Sequence, residues 1–318
     1  MERNRKNVIL ACLVATNFAS TSIVAGEIIV YDPVGGTTTL GIAPKSIMST
    51  GGGFIPNTIA PKSSISNNIV TVISTGSETV NNVIGGFSDD KNVERNTVNI
   101  SGGAINSWIY GGYSNSSSVT NNTVNILGNP KFRANIILYG GNKGSGTGDT
   151  FTGNTINIAS KGLFVSNIAN FEFINFYLPK NIAPNDTVFT LTNRPNFSVS
   201  KLGVALANDN TSLNVGDRIN LVKSNAGVIT HNDISNHIND PKNILKLSTT
   251  STTFSNIYSF DILSDTTSIY TVVKNKENNP QQKSILEAGA SMTGMLNIAS
   301  DSIDSVLAKG YTGFSTYE

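Results

Sequence analysis

Two histidines in one short polar segment are the residues of this chain best suited to acid–base or metal chemistry. His231 and His237 are the only histidines, and Asp233 lies between them. A serine hydrolase needs a nucleophile and an oxyanion hole, and neither Gly-x-Ser-x-Gly nor Gly-Asp-Ser-Gly occurs in the sequence. A metal site at these three residues stays open, although solvated loop histidines are the commoner case. We predict no catalytic residue, no metal ligand and no enzymatic activity.

Two further segments resemble sites that other proteins use for chemistry. The adjacent acids Asp89 and Asp90 fit solvated loop charges better than a glycosidase pair, which needs two carboxyl groups flanking the scissile bond. The glycine-rich segment 144–149, Gly-Ser-Gly-Thr-Gly-Asp, lacks the lysine of a phosphate-binding loop. It is predicted to be a flexible loop between strands. Neither segment predicts a cofactor.

Aromatic residues beside a Gly-Gly pair are the best candidates for contact with a partner. Trp108 and Tyr113 flank Gly111 and Gly112. If they are exposed, these rings would contact a glycan or a host-surface protein. If they are buried, they would stack at a corner of the fold, which is the commoner outcome.

The composition favours an elongated β protein over a compact enzyme. The 318 residues include 42 asparagines and 29 glycines, and only 14% of the chain is charged. Asparagine and glycine are poor in helix interiors and common in turns. The net charge is +1 and no Lys/Arg cluster is present, so we expect no nucleic-acid partner.

The first 25 residues have the pattern of a secretory signal peptide. A basic start at residues 3–6 precedes an apolar stretch at 8–19 and a small-residue cleavage site at 23–25. A membrane anchor would need a longer apolar stretch, and lipoprotein cleavage at Cys12 would leave a shorter one. Since Cys12 is the only cysteine, the exported chain is expected to contain no disulfide.

A repeat decides the predicted architecture. Asn-Thr-Val-Asn-Ile begins at residues 96 and 122, Asn-Thr-Ile-Asn-Ile begins at 154, and a weaker copy begins at 68, so the steps are 28, 26 and 32 residues. An apolar or aromatic residue followed by Gly-Gly precedes the last three copies. The Gly-Gly pairs are predicted to form corners that need positive φ or close backbone approach.

Alternation within each copy predicts a half-buried β-strand. Thr97 and Asn99, with their equivalents, are predicted to face outward. One such unit cannot close a core, so stacked rungs that share a core predict a parallel β-helix, with a β-sandwich as the alternative. The predicted inward ladders are Val98, Val124 and Ile156, then Ile100, Ile126 and Ile158.

The pattern changes after residue 165. A phenylalanine-rich segment at 170–179 and several later strand-like stretches predict irregular strands that cap the solenoid. Apolar residues at helical spacing over 283–309 predict an α-helix. The predicted fold is all-β: a right-handed parallel β-helix of few turns, with an irregular β cap and a C-terminal α-helix. The predicted organisation is a signal peptide at 1–25, the repeat β-helix at 26–165, a C-terminal β region at 166–274, and a polar linker with the helix at 275–318.

The ordered series of segments resembles a bacterial autotransporter. The Tyr-Gly-Gly and Asn-Thr-Val-Asn-Ile repeats look like passenger repeats. Segments 173–179, Phe-Ile-Asn-Phe-Tyr-Leu-Pro, and 215–222, Val-Gly-Asp-Arg-Ile-Asn-Leu-Val, are similar to the C-terminal passenger region. Segment 283–289, Lys-Ser-Ile-Leu-Glu-Ala-Gly, and the helix after it resemble the linker that leads into the translocator barrel. The resemblance covers roughly residues 60–315.

The resemblance implies a non-enzymatic passenger, adhesive or structural, with a host-surface protein or glycan as its partner. In the family an outer-membrane translocator barrel follows the linker, and this sequence ends at Glu318 without its alternating strands. We therefore expect a truncated passenger, at the cell surface in the intact family and periplasmic if the barrel is truly absent. A secreted surface-layer or other structural β protein is one alternative, and a glycan-acting hydrolase on a β-helix is another.

Overall fold

A computed structural model describes residues 28–31, 58–59, 65–72, 79–207, 213–230, 245–246, 249–253 and 255–281. Every helix or strand assigned within these ranges is a β-strand. In chain order the strands are β1 (Ile28–Tyr31), β2 (Thr58–Ile59), β3 (Ile69–Val72), β4 (Thr79–Val80), β5 (Asn82–Ile84), β6 (Phe87–Ser88), β7 (Val93–Glu94), β8 (Thr97–Ile100), β9 (Ala104–Ile105), β10 (Ile109–Ser114), β11 (Val119–Thr120), β12 (Thr123–Leu127), β13 (Lys131–Phe132), β14 (Ile137–Lys143), β15 (Thr155–Ala159), β16 (Leu163–Val165), β17 (Asn167–Ala169), β18 (Phe173–Leu178), β19 (Thr187–Leu191), β20 (Lys201–Leu206), β21 (Arg218–Ser224), β22 (Leu245–Lys246), β23 (Thr250–Thr252), β24 (Asn256–Ser264) and β25 (Ser268–Asn278).

Strands of successive repeats pair in parallel, and the resulting sheets form the sides of a β-solenoid, as the repeat predicted. Sheet one is the eight-stranded parallel sheet β1-β3-β8-β12-β15-β18-β20-β22. Sheet two is the parallel sheet β17-β14-β10-β5-β2, with β6 also paired to β10. Two smaller parallel sheets, β13-β9-β4 and β11-β7, complete the sides of the repeats.

The pairing register of sheet one confirms the predicted inward ladders. Val124 pairs with Val98 on one side and with Ile156 on the other, so like residues stack on like. Each ladder side chain is at most 1% exposed, whereas the Thr97 and Asn99 side chains between them are half-buried. Asn125 and Asn157, the equivalents of Asn99, are 9% and 7% exposed and lie within a stack of hydrogen-bonded amides. Alternation therefore places aliphatic side chains in a shared core, where each rung covers the next.

A column of asparagines also runs inside the solenoid. Asn68, Asn96, Asn122 and Asn154 begin successive rungs of sheet one, and all four are fully buried. The backbone N–H and the side-chain amide of Asn96 both donate to Oδ1 of Asn122, at 3.0 and 2.9 Å. Asn68 donates in the same way to Asn96, and Asn122 to Asn154. A buried amide is costly unless it is hydrogen-bonded, so each rung depends on its neighbour.

Each asparagine of this column follows a residue in the left-handed region. The φ angles are 57° at Arg95, 56° at Asn121 and 71° at Gly153. Asparagine and glycine adopt this conformation most readily, and the Arg95 guanidinium donates to Oδ1 of Asn67 at 3.2 Å. The chain thus turns sharply into sheet one at the same point of each repeat.

The Gly-Gly pairs lie within or beside the strands of sheet two, and close approach is the reason for glycine there. A Cβ on Gly111 would lie 2.4 Å from the Gly140 carbonyl oxygen and 2.9 Å from Cβ of Asn122. Neither Gly111 nor Gly112 has positive φ. Of the two reasons that the sequence predicted, close packing against the buried asparagines is confirmed, and positive φ is not found.

Stacking continues beyond residue 165 before the chain changes direction. The strand β18 pairs in parallel with β15, and β20 pairs in parallel with β18. The last sheet, β16-β19-β21-β25-β24-β23, begins parallel, but β25, β24 and β23 add to it antiparallel. These long antiparallel strands form the irregular cap at the C-terminal end of the described solenoid.

Several predictions concern residues outside the described ranges. These are the signal peptide at 1–25, the helix at 283–309, and the segment that contains His231, Asp233 and His237. A search of the described residues for a helix with the length and hydropathy to cross a membrane found none.

Candidate functional site

A cluster of aromatic rings separate from the main core is the best candidate for a functional surface. The aromatic strip comprises Phe87, Trp108, Tyr110, Tyr113 and Tyr139, and Ile84 packs with it. Tyr110 stacks on Tyr139 with ring centroids 5.3 Å apart, and Phe87 stacks on Tyr113 at 5.8 Å. Tyr110 meets Tyr113 edge to face at 5.5 Å, and Trp108 lies 6.3 Å from Tyr110.

The repeat produces this strip through the strands on either side of the glycine pairs. Tyr110 and Tyr139 are paired residues of β10 and β14 and precede Gly-Gly in each strand. Phe87 and Tyr113 are paired residues that follow Gly-Gly. The glycines pack toward the buried asparagines, so the residues on both sides of them reach one outer surface. Two columns of rings therefore run along the solenoid axis and touch each other.

Burial raises the pKa of the phenols of the strip, which are already neutral at neutral pH. Tyr110 is only 6% exposed, and burial, with a smaller contribution from Tyr139, raises the pKa of its phenol well above the usual range. Burial also raises the pKa of Tyr113 and of Tyr139, which are half-buried. A hydrogen bond with Asn142 opposes the shift at Tyr110 without cancelling it. The strip is an uncharged surface of rings with hydroxyl and indole edges.

The loops beside the strip stack on one another. In the glycine-rich segment 144–149, the Ser145 N–H donates to the Asn115 carbonyl at 2.7 Å, and Gly146 has φ of +78°. The hydroxyl of Ser117 donates to the Asp90 carbonyl at 2.7 Å in the loop before. Both Asp89 and Asp90 are exposed, as predicted for solvated loop charges. These loops extend the solenoid outward instead of forming a phosphate-binding cradle.

The two carboxylates that interact on neighbouring rungs do not have the properties of a glycosidase pair. Burial raises the pKa of Asp149, but hydrogen bonds from Thr152 and Phe151 outweigh burial and lower it. Hydrogen bonds from Lys201 and from the Gly153 N–H lower the pKa of Glu172. A glycosidase needs one carboxyl group with a raised pKa to act as the acid. The observed arrangement gives two carboxylates whose lowered pKa values favour the ionised form and whose oxygens have structural partners.

The outward face of sheet one carries a second column of asparagines. The side-chain amide of Asn125 donates to Oδ1 of Asn99 at 2.7 Å, and that of Asn157 donates to Asn125 at 2.8 Å. Asn175 continues the column with a donation to Asn157 at 2.9 Å. Amides within this column use a donor and an acceptor in hydrogen bonds along the axis, so this face mainly connects neighbouring rungs.

The described residues contain no group of three His, Cys, Asp or Glu side chains that could hold a metal ion. His231, Asp233 and His237 lie outside the described ranges, so that prediction stays untested. The sequence identified Trp108 and Tyr113 as candidates but did not join them to Phe87, Tyr110 and Tyr139. The signal was present, because those residues flank the same Gly-Gly pairs.

The chain was compared with known proteins in three ways. Comparisons of the chain with protein-family models, with curated proteins and with solved structures found no match.

Proposed function

We propose that this protein is an exported, non-enzymatic surface scaffold of the autotransporter-passenger type, in which a stiff β-solenoid displays an aromatic strip and stacked loops for adhesion or surface structure. The observation that carries the proposal is the in-register stack of sheet one, because such a repeated core builds length and surface. The ordered repeats, phenylalanine-rich segment and linker segment of the sequence support the passenger assignment.

The resolved pKa shifts of the described carboxyl groups bear on the hydrolase alternative. Among the described carboxyl groups, the resolved pKa shifts, at Asp149, Glu172 and Asp265, are all downward. A carboxyl group whose pKa is lowered is ionised at neutral pH and is a poor general acid there. These three groups therefore give no support to the hydrolase alternative.

The test is localisation of the natural gene product in the cells that produce it. Intact cells are treated with a protease and then fractionated, and the protein is detected with an antibody against the repeats. We expect the repeat segment at the cell surface and sensitive to external protease, while a periplasmic marker survives. Full protection in the cytoplasm would refute export, and protection in the periplasm would refute surface display.

A further inference from the structure

We propose that the aromatic strip binds an uncharged glycan chain laid along the solenoid axis. This inference rests on the proposed surface role, and it names the ligand class of the same site. The strip is the five aromatic residues Phe87, Trp108, Tyr110, Tyr113 and Tyr139.

The first support is that the strip is built in layers with different exposure. Ile84 and Tyr110 form a floor that is 0% and 6% exposed, and Phe87 is 7% exposed. Trp108 and Tyr139 are half-buried and present the remaining ring surface outward. Rings held by a packed floor offer contact area without much loss of side-chain freedom on binding.

The second support is that the rings follow the axis and repeat with the rungs. Tyr110 over Tyr139 and Phe87 over Tyr113 are stacked at 17° and 4° between ring planes. Consecutive rungs lie about 4.8 Å apart, so the surface repeats along a line. A ligand that matches it is a chain of similar units, which a polysaccharide is and a folded protein surface is not.

The third support is the chemical character of the strip. Its five side chains are phenyl, indole and phenol groups, all of which are uncharged at neutral pH. The residue that continues the Phe87 and Tyr113 column is Asn142, whose amide hydrogen-bonds with Tyr110. A sugar ring presents C–H faces that suit aromatic surfaces and hydroxyl groups that suit amides and phenols. The five rings offer no charge to an acidic polymer or to a basic peptide.

Trp108 makes the test direct, because it is the only tryptophan of the chain. Fluorescence excited at the indole therefore reports on the strip alone. The full chain is titrated with two neutral probes, cellohexaose and chitohexaose, and with the acidic hexamer of galacturonic acid. We expect a saturable fluorescence change with at least one neutral probe and binding at least tenfold weaker to the acidic one.

Three variants separate the strip from general surface effects. Tyr139→Ala removes a half-exposed ring and should weaken binding by about tenfold, whereas Tyr139→Phe keeps the ring and should change it less than threefold. Phe164→Ala removes a ring that is 44% exposed in β16, outside the strip, and should leave binding unchanged. Thermal melts of each variant confirm that the fold is retained. If Tyr139→Ala fails to fold, Tyr113→Ala carries the test, because it removes another half-buried ring of the strip and should also weaken binding by about tenfold.

No saturable change with either neutral probe, or equal loss in Phe164→Ala and Tyr139→Ala, would overturn the inference. Loss of cell attachment in strip variants without any glycan binding would also overturn it, in favour of a protein partner. Surface display is measured separately by external protease. A displayed protein that binds no glycan therefore contradicts only this inference, and an undisplayed one contradicts the proposed function.

Discussion

The repeat half, the described residues of 65–159, and the cap half, the described residues of 163–281, stabilise the same solenoid by different means. The repeat half fills a narrow interior with Val and Ile and adds a buried column of asparagines. Fully buried rings belong to the cap half, where Phe171, Phe176, Phe189, Tyr258 and Phe260 lie. The repeat half therefore depends on register, because the hydrogen bonds of its buried asparagine column exist only between aligned rungs. The cap half adds buried aromatic volume, and its antiparallel strand pairs contain register shifts.

The junction shows how one half passes into the other. Phe171 follows Asn170, which has φ of 62°. The ring of Phe171 packs against Gly140, where an added Cβ would lie 2.8 Å from Cδ1 of the ring. The asparagine column ends at Asn154, and Glu172 then joins the Gly153 N–H to Lys201 at 2.8 Å each. An aromatic ring and an ion pair thus replace the column where the repeat ends.

The largest expected effect is a charge placed in the shared core of the repeat half. Val124→Asp buries an unpaired carboxylate and should cost more than about 4 kcal/mol of unfolding free energy. Asn125→Asp, its neighbour on the outward face, loses one ladder donor and should cost about 1–2 kcal/mol. Thermal melts followed by circular dichroism compare the two. Equal damage would contradict the inward and outward assignment.

Replacing a buried amide in the repeat half and a buried aliphatic side chain in the cap half should distinguish the two halves next. Asn122→Leu leaves the Asn96 N–H and amide buried without their acceptor, so we expect a loss of about 3 kcal/mol. Leu191→Met in the cap half conserves apolar volume and should cost less than about 1.5 kcal/mol. Denaturant midpoints measure both variants. A small loss at Asn122 would show that the asparagine column does not specify the register.

A glycine of a Gly-Gly pair in the repeat half should matter for space, and Gly216 in the cap half should matter for conformation. Gly111→Ala pushes a Cβ to 2.4 Å from the Gly140 carbonyl oxygen and should cost about 2–3 kcal/mol. Gly216→Ala meets nothing within 4 Å but keeps φ at +92°, so about 1 kcal/mol is expected. Urea unfolding of both variants gives the comparison. A reversed order would argue against close packing at the Gly-Gly pairs.

Acid should act weakly, and mainly through the cap half. Hydrogen bonding to Lys201 lowers the pKa of Glu172 below its unfolded value, and burial of Asp265 is outweighed by hydrogen bonds from Ser268, Thr267 and Arg218. A carboxyl group with a lowered pKa stabilises the fold at pH values above its unfolded pKa of about 4. This stabilisation is lost as the pH falls through its folded pKa. Because Lys201 and Arg218 are more than a third exposed, the whole effect should stay below about 1 kcal/mol.

Melting temperatures between pH 6 and pH 3 test this prediction. The native chain should lose about 2 °C more than Glu172→Gln over that range. Glu94→Gln removes an exposed ion pair with Arg95 in the repeat half and serves as the control, with no change in slope expected. A steeper slope in Glu172→Gln than in the native chain would reverse the assigned sign.

The sequence predicted the parts of the fold that alternate within one strand. The Val98 and Ile100 ladders follow from a period of two, and their stacking follows from near-identical copies. The partners of Asn96 lie 26 and 28 residues away, so its hydrogen bonds depend on alignment between rungs. Parallel and antiparallel strands have the same two-residue periodicity, so the sequence pattern did not predict the antiparallel order of β23 to β25. The aromatic strip was found only in part, because its rings come from three different rungs.

The solenoid depends most on the one-rung register of sheet one, and engineered disulfides test this register directly. Cys12 is the only cysteine, so Cys12→Ser provides a background free of other thiols. Asn99 and Asn125 are paired residues on adjacent rungs, and Asn157 lies one rung further. Adjacent rungs are about 4.8 Å apart, within the Cα separation that a disulfide bridges, and two rungs are roughly 10 Å apart, beyond it.

The measurement is the mobility of the oxidised monomer on a non-reducing gel, with a count of remaining free thiols. Asn99→Cys with Asn125→Cys should form an intramolecular disulfide and leave no free thiol. Asn99→Cys with Asn157→Cys should keep both thiols free. If the second pair closes as readily as the first, or the first stays open under the same oxidation, the stacked register described above is contradicted.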